Sequence, residues 1–240
     1  THSHYDHCYG NAQFDKVYCH EYEFDAIMSK NNPDIWDYLF NQTDHDIDVW
    51  GNTIHPGEPV YTEFDKKDII VDIEHKETYK PYEVIPVEDG HIFDLGDGYL
   101  VEAVLLPGHT MGQCGFYDHQ NHTLCCGDVT GIGRQPAGTP HGEYCTVEAL
   151  HDALTKLQPR FKEISGVFPG HGAWDVSPLC LQNLLDTTNA IMKNPENYDK
   201  KSEFERDGKK MISLTKNIHQ WTEFRYSLNR VYKQQFLKDK

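Results

Sequence analysis

The chain has 240 residues and carries 22 Lys and Arg against 38 Asp and Glu, a formal charge of −16. No run of about 18 apolar residues occurs, which rules out a spanning helix, and so negative a chain without a basic cluster disfavours nucleic acid as a partner. A hydrophobic content of 38% suffices for one packed core, so a single domain over residues 1–240 is expected.

In chain order, Thr1 to Gly10 is polar and His-rich, more loop than element. Lys16–His20 is a short strand candidate, and Asp25–Leu39 shows partial helical periodicity through Ile27, Ile35, Trp36 and Leu39. Asn41–Pro59 has the Asn, Asp, Gly and Pro content of a loop, able to serve as a lid or pocket wall. From Asp68 the pattern turns to β, with Ile69–Val71, Tyr82–Val87 and Tyr99–Leu106 rich in β-branched and aromatic residues. Cys114–Tyr117 and Thr123–Cys126 flank a polar segment and suit a hairpin. Thr146–Gln158 reads as an amphipathic helix, with Thr146 as N-cap and Val147, Leu150, Leu154 and Leu157 on one face. Glu163–Phe168 returns to strand. Ser177-Pro178 opens a second helix, N-cap followed by Pro. From Met211 onward helical and strand spacing compete, and strands are preferred. Interleaved strands and helices make the chain α/β.

Seven cysteines, an odd number without CxxC spacing, read as reduced thiols in a cytoplasmic protein. Cys125 and Cys126 are expected to be buried strand residues. The chemistry concentrates among the 15 histidines. Thr1-His2-Ser3-His4-Tyr5-Asp6-His7 opens the chain. In an extended loop His2 and His4 point to one side and can share a cation, with Asp6 and His7 placed for a second. A terminal tag is more often an unbroken His run. Further candidates follow strand ends: His109 in Pro107-Gly108-His109-Thr110, Asp128 in Cys126-Gly127-Asp128, and His171 in Pro169-Gly170-His171-Gly172. Each is flanked by Gly, which lets backbone approach a metal closely. Imidazole and carboxylate donors suit zinc, and also iron or manganese.

This ordered set, His-x-His-x-Asp-His, Pro-Gly-His-Thr, Gly-Asp and Pro-Gly-His-Gly, resembles the metallo-β-lactamase-fold hydrolase superfamily, over about Thr1 to Leu185. Glu88–Gly96 also looks like the family's segment before the Pro-Gly-His-Thr strand. The resemblance implies an αββα sandwich of two mixed β-sheets flanked by helices, with 186–240 as a C-terminal extension. It implies His2, His4 and His109 on one metal, Asp6, His7 and His171 on a second, and Asp128 bridging the two, with zinc expected at two per chain. A metal-bridged hydroxide would then attack the substrate, and Asp6 would orient it or shuttle its proton. In the family several strands precede the first motif. Here the N-terminal strands are missing, so a longer parent protein with an exposed sheet edge is expected, its first ligands on unrestrained terminal residues.

The function implied is a hydrolase of a small ester, thioester or lactone, similar to glyoxalase II-like members. An iron-dependent oxidoreductase of the persulfide dioxygenase kind shares the same His pattern and is the alternative. A β-lactamase, a nuclease and a non-catalytic binding protein fit less well. No membrane partner is expected. Arg134, a lone cation after Asp128, is the candidate anchor for a substrate carboxylate, with a surface salt bridge as its other reading. His119, His122, His141 and His151 fall outside the motifs and are expected at the surface or behind the ligands.

Overall fold

The computed structural model describes residues 1–49, 73–135, 138–172, 176–206 and 208–237. The first half contains α1 (Tyr5–Cys8), β1 (Lys16–His20), α2 (Phe24–Met28), α3 (Ile35–Val49), β2 (Glu83–Val87), β3 (Ile92–Asp94) and β4 (Leu100–Leu105). β5 (Cys114–Asp118), β6 (Thr123–Gly127), α4 (Val147–Leu157), β7 (Gly166–Pro169) and α5 (Leu179–Lys193) follow. The chain closes with β8 (Lys200–Arg206), β9 (Lys209–Asn217), β10 (Glu223–Tyr226) and α6 (Lys233–Leu237). The fold is α/β, as the sequence predicts. No described helix is long and apolar enough to cross a membrane.

Two compact units share this chain. One comprises Thr1–Ser3, Tyr18–Phe24 and Pro86–Lys240, the other His4–Val17 and Asp25–Ile85. The first is built on a five-stranded mixed sheet, ordered β3-β4-β5-β6-β7. Its pairings are antiparallel except β6 with β7, which are parallel. Val104, Leu124, Cys126 and Val167 of the sheet meet Leu150 and Leu154 of α4 and Leu181, Leu184 and Ile191 of α5 in one core. Each such fully buried aliphatic side chain contributes about 1.5–3 kcal/mol. The antiparallel sheet β10-β9-β8 adds Leu214, Phe224 and Tyr226 to that core. Strand alternation in β10 leaves Glu223 and Arg225 on the opposite side from buried Phe224 and Tyr226.

α4 starts where the sequence places it. Thr146 Oγ1 accepts from Ala149 N at 3.2 Å and donates to Glu143 O at 2.8 Å. Glu148, in the first turn, accepts from Lys233 N at 2.7 Å, which ties the C-terminal α6 to the same helix end. At α5 the register differs by one residue: Pro178 takes the cap position and Leu179 is the first helical residue.

Other boundaries differ for local physical reasons. The expected helix Asp25–Leu39 is broken, because Pro33 disfavours helical backbone at Asn32, whose side chain instead accepts from Asp34 N at 2.9 Å. α3 then continues to Val49, through residues expected to be loop, since no Gly or Pro interrupts Asn41–Val49. The expected strand at 69–71 and the rest of the expected loop lie outside the described residues. β7 begins at Gly166, three residues late, because Gln158–Glu163 forms a 3-10 segment opened by Pro159. β8 has no apolar alternation to announce it. It is the edge of its sheet, and solvent-facing edges tolerate polar sequence. Cys126 is buried as expected, whereas Cys125, its neighbour on the strand, faces out.

Thr146→Ala should destabilise the protein by about 1–2 kcal/mol, the cost of an N-cap lost at a buried helix start. Urea unfolding of the two proteins at equal m-value measures it.

Candidate metal centre

Strand direction brings the candidate ligands of the first unit together. β5 runs antiparallel to both β4 and β6, and β7 runs parallel to β6, so β4, β6 and β7 all point one way. His109, Asp128 and His171 leave the carboxyl ends of those three strands, at a single edge of the sheet. Gly108, Gly127 and Gly172 beside them have φ of 129°, 63° and 81°, a region L side chains rarely adopt. Gly170 N donates to Gly127 O at 3.1 Å and locks the His171 turn against the Asp128 turn.

Asp128 Oδ2 lies 3.4 Å from His109 Nε2 and 3.4 Å from His171 Nε2. Two donors bound at about 2.1 Å with tetrahedral angles are about 3.4 Å apart, so this spacing fits a common divalent cation. The donor set, imidazole and carboxylate without thiolate, fits the same kind of ion. His2 meets His109 edge-on, with ring centroids 4.9 Å apart and an interplanar angle of 84°. His2 is 3% exposed and the His171 side chain 62%, so the ligands run from buried to open. The open side is a cavity of about 540 Å³ lined by His109, Asp128 and His171 and by Trp221, Glu223 and Arg225.

The first residues are held, in contrast to the unrestrained terminus expected. Thr1 O accepts from Cys114 N at 3.0 Å, and Thr1 Oγ1 lies 3.0 Å from His2 Nδ1. That hydrogen bond engages Nδ1 and assigns any ligation to Nε2. A Cβ on Gly127 would come within 3.1 Å of Thr1 Cβ, so the ligand turn and the terminus fit only with glycine there.

The second unit carries His4, Asp6 and His7. α1 winds them into a turn in which His7 N donates to His4 O at 3.1 Å and Asp6 Oδ2 lies 3.6 Å from His7 Nε2. His4 lines a cavity of that unit with Tyr5, Lys30, Asp34 and Tyr38.

Three residues of the first unit escape sequence reasoning. Gln113, fully buried, accepts from Asp128 N at 3.0 Å through Oε1 and donates to Leu106 O at 3.2 Å through Nε2. Gly133 N donates to Gly108 O at 2.7 Å, and a Cβ on Gly133 would fall 2.0 Å from His109 O. Arg225 is the arginine that lines the cavity, on a strand whose backbone bonds Thr130 O at 3.0 Å and Ile132 N at 2.8 Å. Arg134 stacks its guanidinium 4.5 Å over the Phe204 ring. Only Gly133 left a local signal, a second glycine soon after the Gly-Asp motif.

The four histidines expected outside the motifs have structural partners. His119 pairs with Glu102 at 3.0 Å, His122 bonds the Tyr117 hydroxyl at 2.9 Å, His151 bonds Thr188 at 3.2 Å, and His141 stacks on Tyr22 at 4.1 Å. All seven cysteines are free, and burial pushes the Cys19, Cys114, Cys145 and Cys180 thiols up to about 12. They stay protonated at neutral pH.

No family model matches the chain. It is 38% identical over 90 residues to hydroxyacylglutathione hydrolase GloC of Haemophilus influenzae, covering 36% of this chain and 40% of that protein. A hydroxyacylglutathione hydrolase of Prochlorococcus marinus is 35% identical over 80 residues, 30% of this chain and 31% of that one. The chain thus spans less than half the length of the curated relatives it matches. Hydroxyacylglutathione hydrolase is glyoxalase II, consistent with the branch named in the sequence analysis. Among solved structures, a metallo-β-lactamase family protein of Thermus thermophilus shares 18% identity at a TM-score of 0.39, covering 78% of this chain and 57% of its own. A metallo-β-lactamase superfamily protein of Sulfolobus tokodaii shares 18% at 0.36, covering 80% and 64%.

Gly133→Ala should displace the His109 carbonyl and destabilise the protein by about 1–3 kcal/mol, the range for an overpacked site. Metal bound per folded chain, counted by elemental analysis, should fall with it.

Proposed function

We propose that the chain is the metal-binding part of a hydrolase acting on a small ester, thioester or lactone. The observation that carries this reading is the Asp128 carboxylate, held 3.4 Å from two imidazoles at the edge of a cavity of about 540 Å³. Following the motif resemblance, His2, His4 and His109 are assigned to one cation, Asp6, His7 and His171 to a second, and Asp128 to both. Two zinc ions are the proposed complement, and such ions supply a Lewis acid for the acyl oxygen and an activated water.

The chain's own residues do the rest. The backbone of Asp128 is fixed by Gln113, which sets where its carboxylate starts from beside the imidazoles. Asp6 is placed in the role of proton acceptor. Water, activated as above, is assigned as the nucleophile. Trp221 offers an apolar wall, and Arg225, which lines the cavity, offers a guanidinium to an anionic group of the substrate.

Asp128→Ala should abolish turnover of chromogenic thioesters and lower zinc content by about one equivalent or more, because the bridge serves both cations. Two metals retained with normal turnover would overturn the assignment. One iron per wild-type chain with oxygen consumption would replace the hydrolase reading by the oxidoreductase one.

Arg225→Gln should raise KM for an ester with a carboxylate by about tenfold, the size of one charge-assisted hydrogen bond, and leave a neutral ester unchanged. Equal effects on both esters would remove Arg225 from substrate recognition.

A further inference from the structure

Glu23 closes the short turn Glu21–Glu23 after β1 and is 0% exposed. Burying a carboxylate costs several kcal/mol unless its oxygens are satisfied. Both are. Oε2 accepts from Ser3 N at 2.9 Å, and Oε1 accepts from Gly112 N at 2.9 Å. Ser3 lies between His2 and His4 in the sequence, and Gly112 lies in the loop that carries His109 to β5. The approach is tight: a Cβ on Gly112 would lie 3.0 Å from Glu23 Cγ and 3.1 Å from Glu23 N. Glycine at 112 is what lets the carboxylate reach the loop.

Both donors are neutral amides, and no ion pair to Glu23 occurs among the described residues. The fold therefore places a buried carboxyl group between the two segments that present His2 and His109, with one oxygen committed to each.

We propose that Glu23 is a positioning residue for the metal centre. It fixes the separation of His2 and His109 through the backbone of both segments, and this fixed spacing raises the affinity of that pair for a divalent cation. The proposal rests on the metal-centre reading above.

The test titrates Co²⁺ into metal-free full-length chains and follows the visible absorption of the bound ion. Glu23→Gln keeps the shape but turns one acceptor into a donor, facing an N–H. The first equivalent of Co²⁺ should bind at least about tenfold more weakly than in wild type, with an altered spectrum. Thr146→Ala, which weakens the fold away from the ligands, should leave both unchanged. Should Glu23→Gln not fold, Glu23→Asp and Gly112→Ala disturb the same clamp from its two sides and should both weaken binding. Wild-type affinity and spectrum in the folded Glu23 variants would overturn the positioning role alone. A wild-type chain that binds no Co²⁺ would overturn the metal reading, and this role with it.

Discussion

The parallel pairing of β6 with β7 is the constraint on which the candidate site depends. Asp128 and His171 are neighbours because their strands end together, and a parallel pair needs a crossover rather than a tight turn. α4 lies in that crossover, so its apolar face is not merely core. Leu150 of α4 also abuts the His109 turn, where a Cβ on Gly108 would lie 3.3 Å from Leu150 Cβ. Packing of the helix and placement of the ligand are one structural event.

Around the ligands a shell of backbone contacts does what side chains alone cannot. Gly170 to Gly127, Gly133 to Gly108 and Gln113 to Asp128 each join one ligand turn to another part of the sheet edge. Singly, such bonds contribute about 0.5–1.5 kcal/mol, too little to decide stability. Their effect is geometric, since each fixes a turn in which glycine would otherwise leave the backbone free. The C-terminal extension takes part as well. β10 turns Phe224 and Tyr226 into the core and Glu223 and Arg225 the other way, while its backbone bonds Thr130 and Ile132 just past Asp128. A segment that reads as an appendix is one wall of the cavity.

What the sequence made legible was local. The turns at His109, Asp128 and His171 announce themselves by their glycines, of which Gly108, Gly127 and Gly172 have a φ that L side chains rarely adopt, and α4 because cap and apolar stripe agree. α3 past Leu39 and the polar edge strand β8 are invisible for the converse reason, since neither sequence carries a clear apolar period. Glu23 and Gln113 lie beyond any pattern. The bond from Gly112 to Glu23 spans 89 positions, and periodicity records which face a residue occupies, not which distant amide it meets. The place of Arg225 on the cavity wall is illegible in the same way. Arg134 is near Asp128 in sequence, whereas Arg225 is near it through strand pairing.

Burial then gives the first unit's ligands unequal roles. His2 sits where the interior excludes water, with its Nδ1 engaged by Thr1 and its segment held by Glu23, so its geometry is set by the fold. His171 stands largely exposed at the cavity, followed by a glycine with open space around its Cβ position. An imidazole so placed adjusts at little cost, while a buried one does not. The cavity therefore opens on the His171 and Arg225 side, and His2 lies on the side that the fold holds. Burial at His2 and exposure at His171 thus set apart two candidate ligands that the sequence motifs present as equivalent.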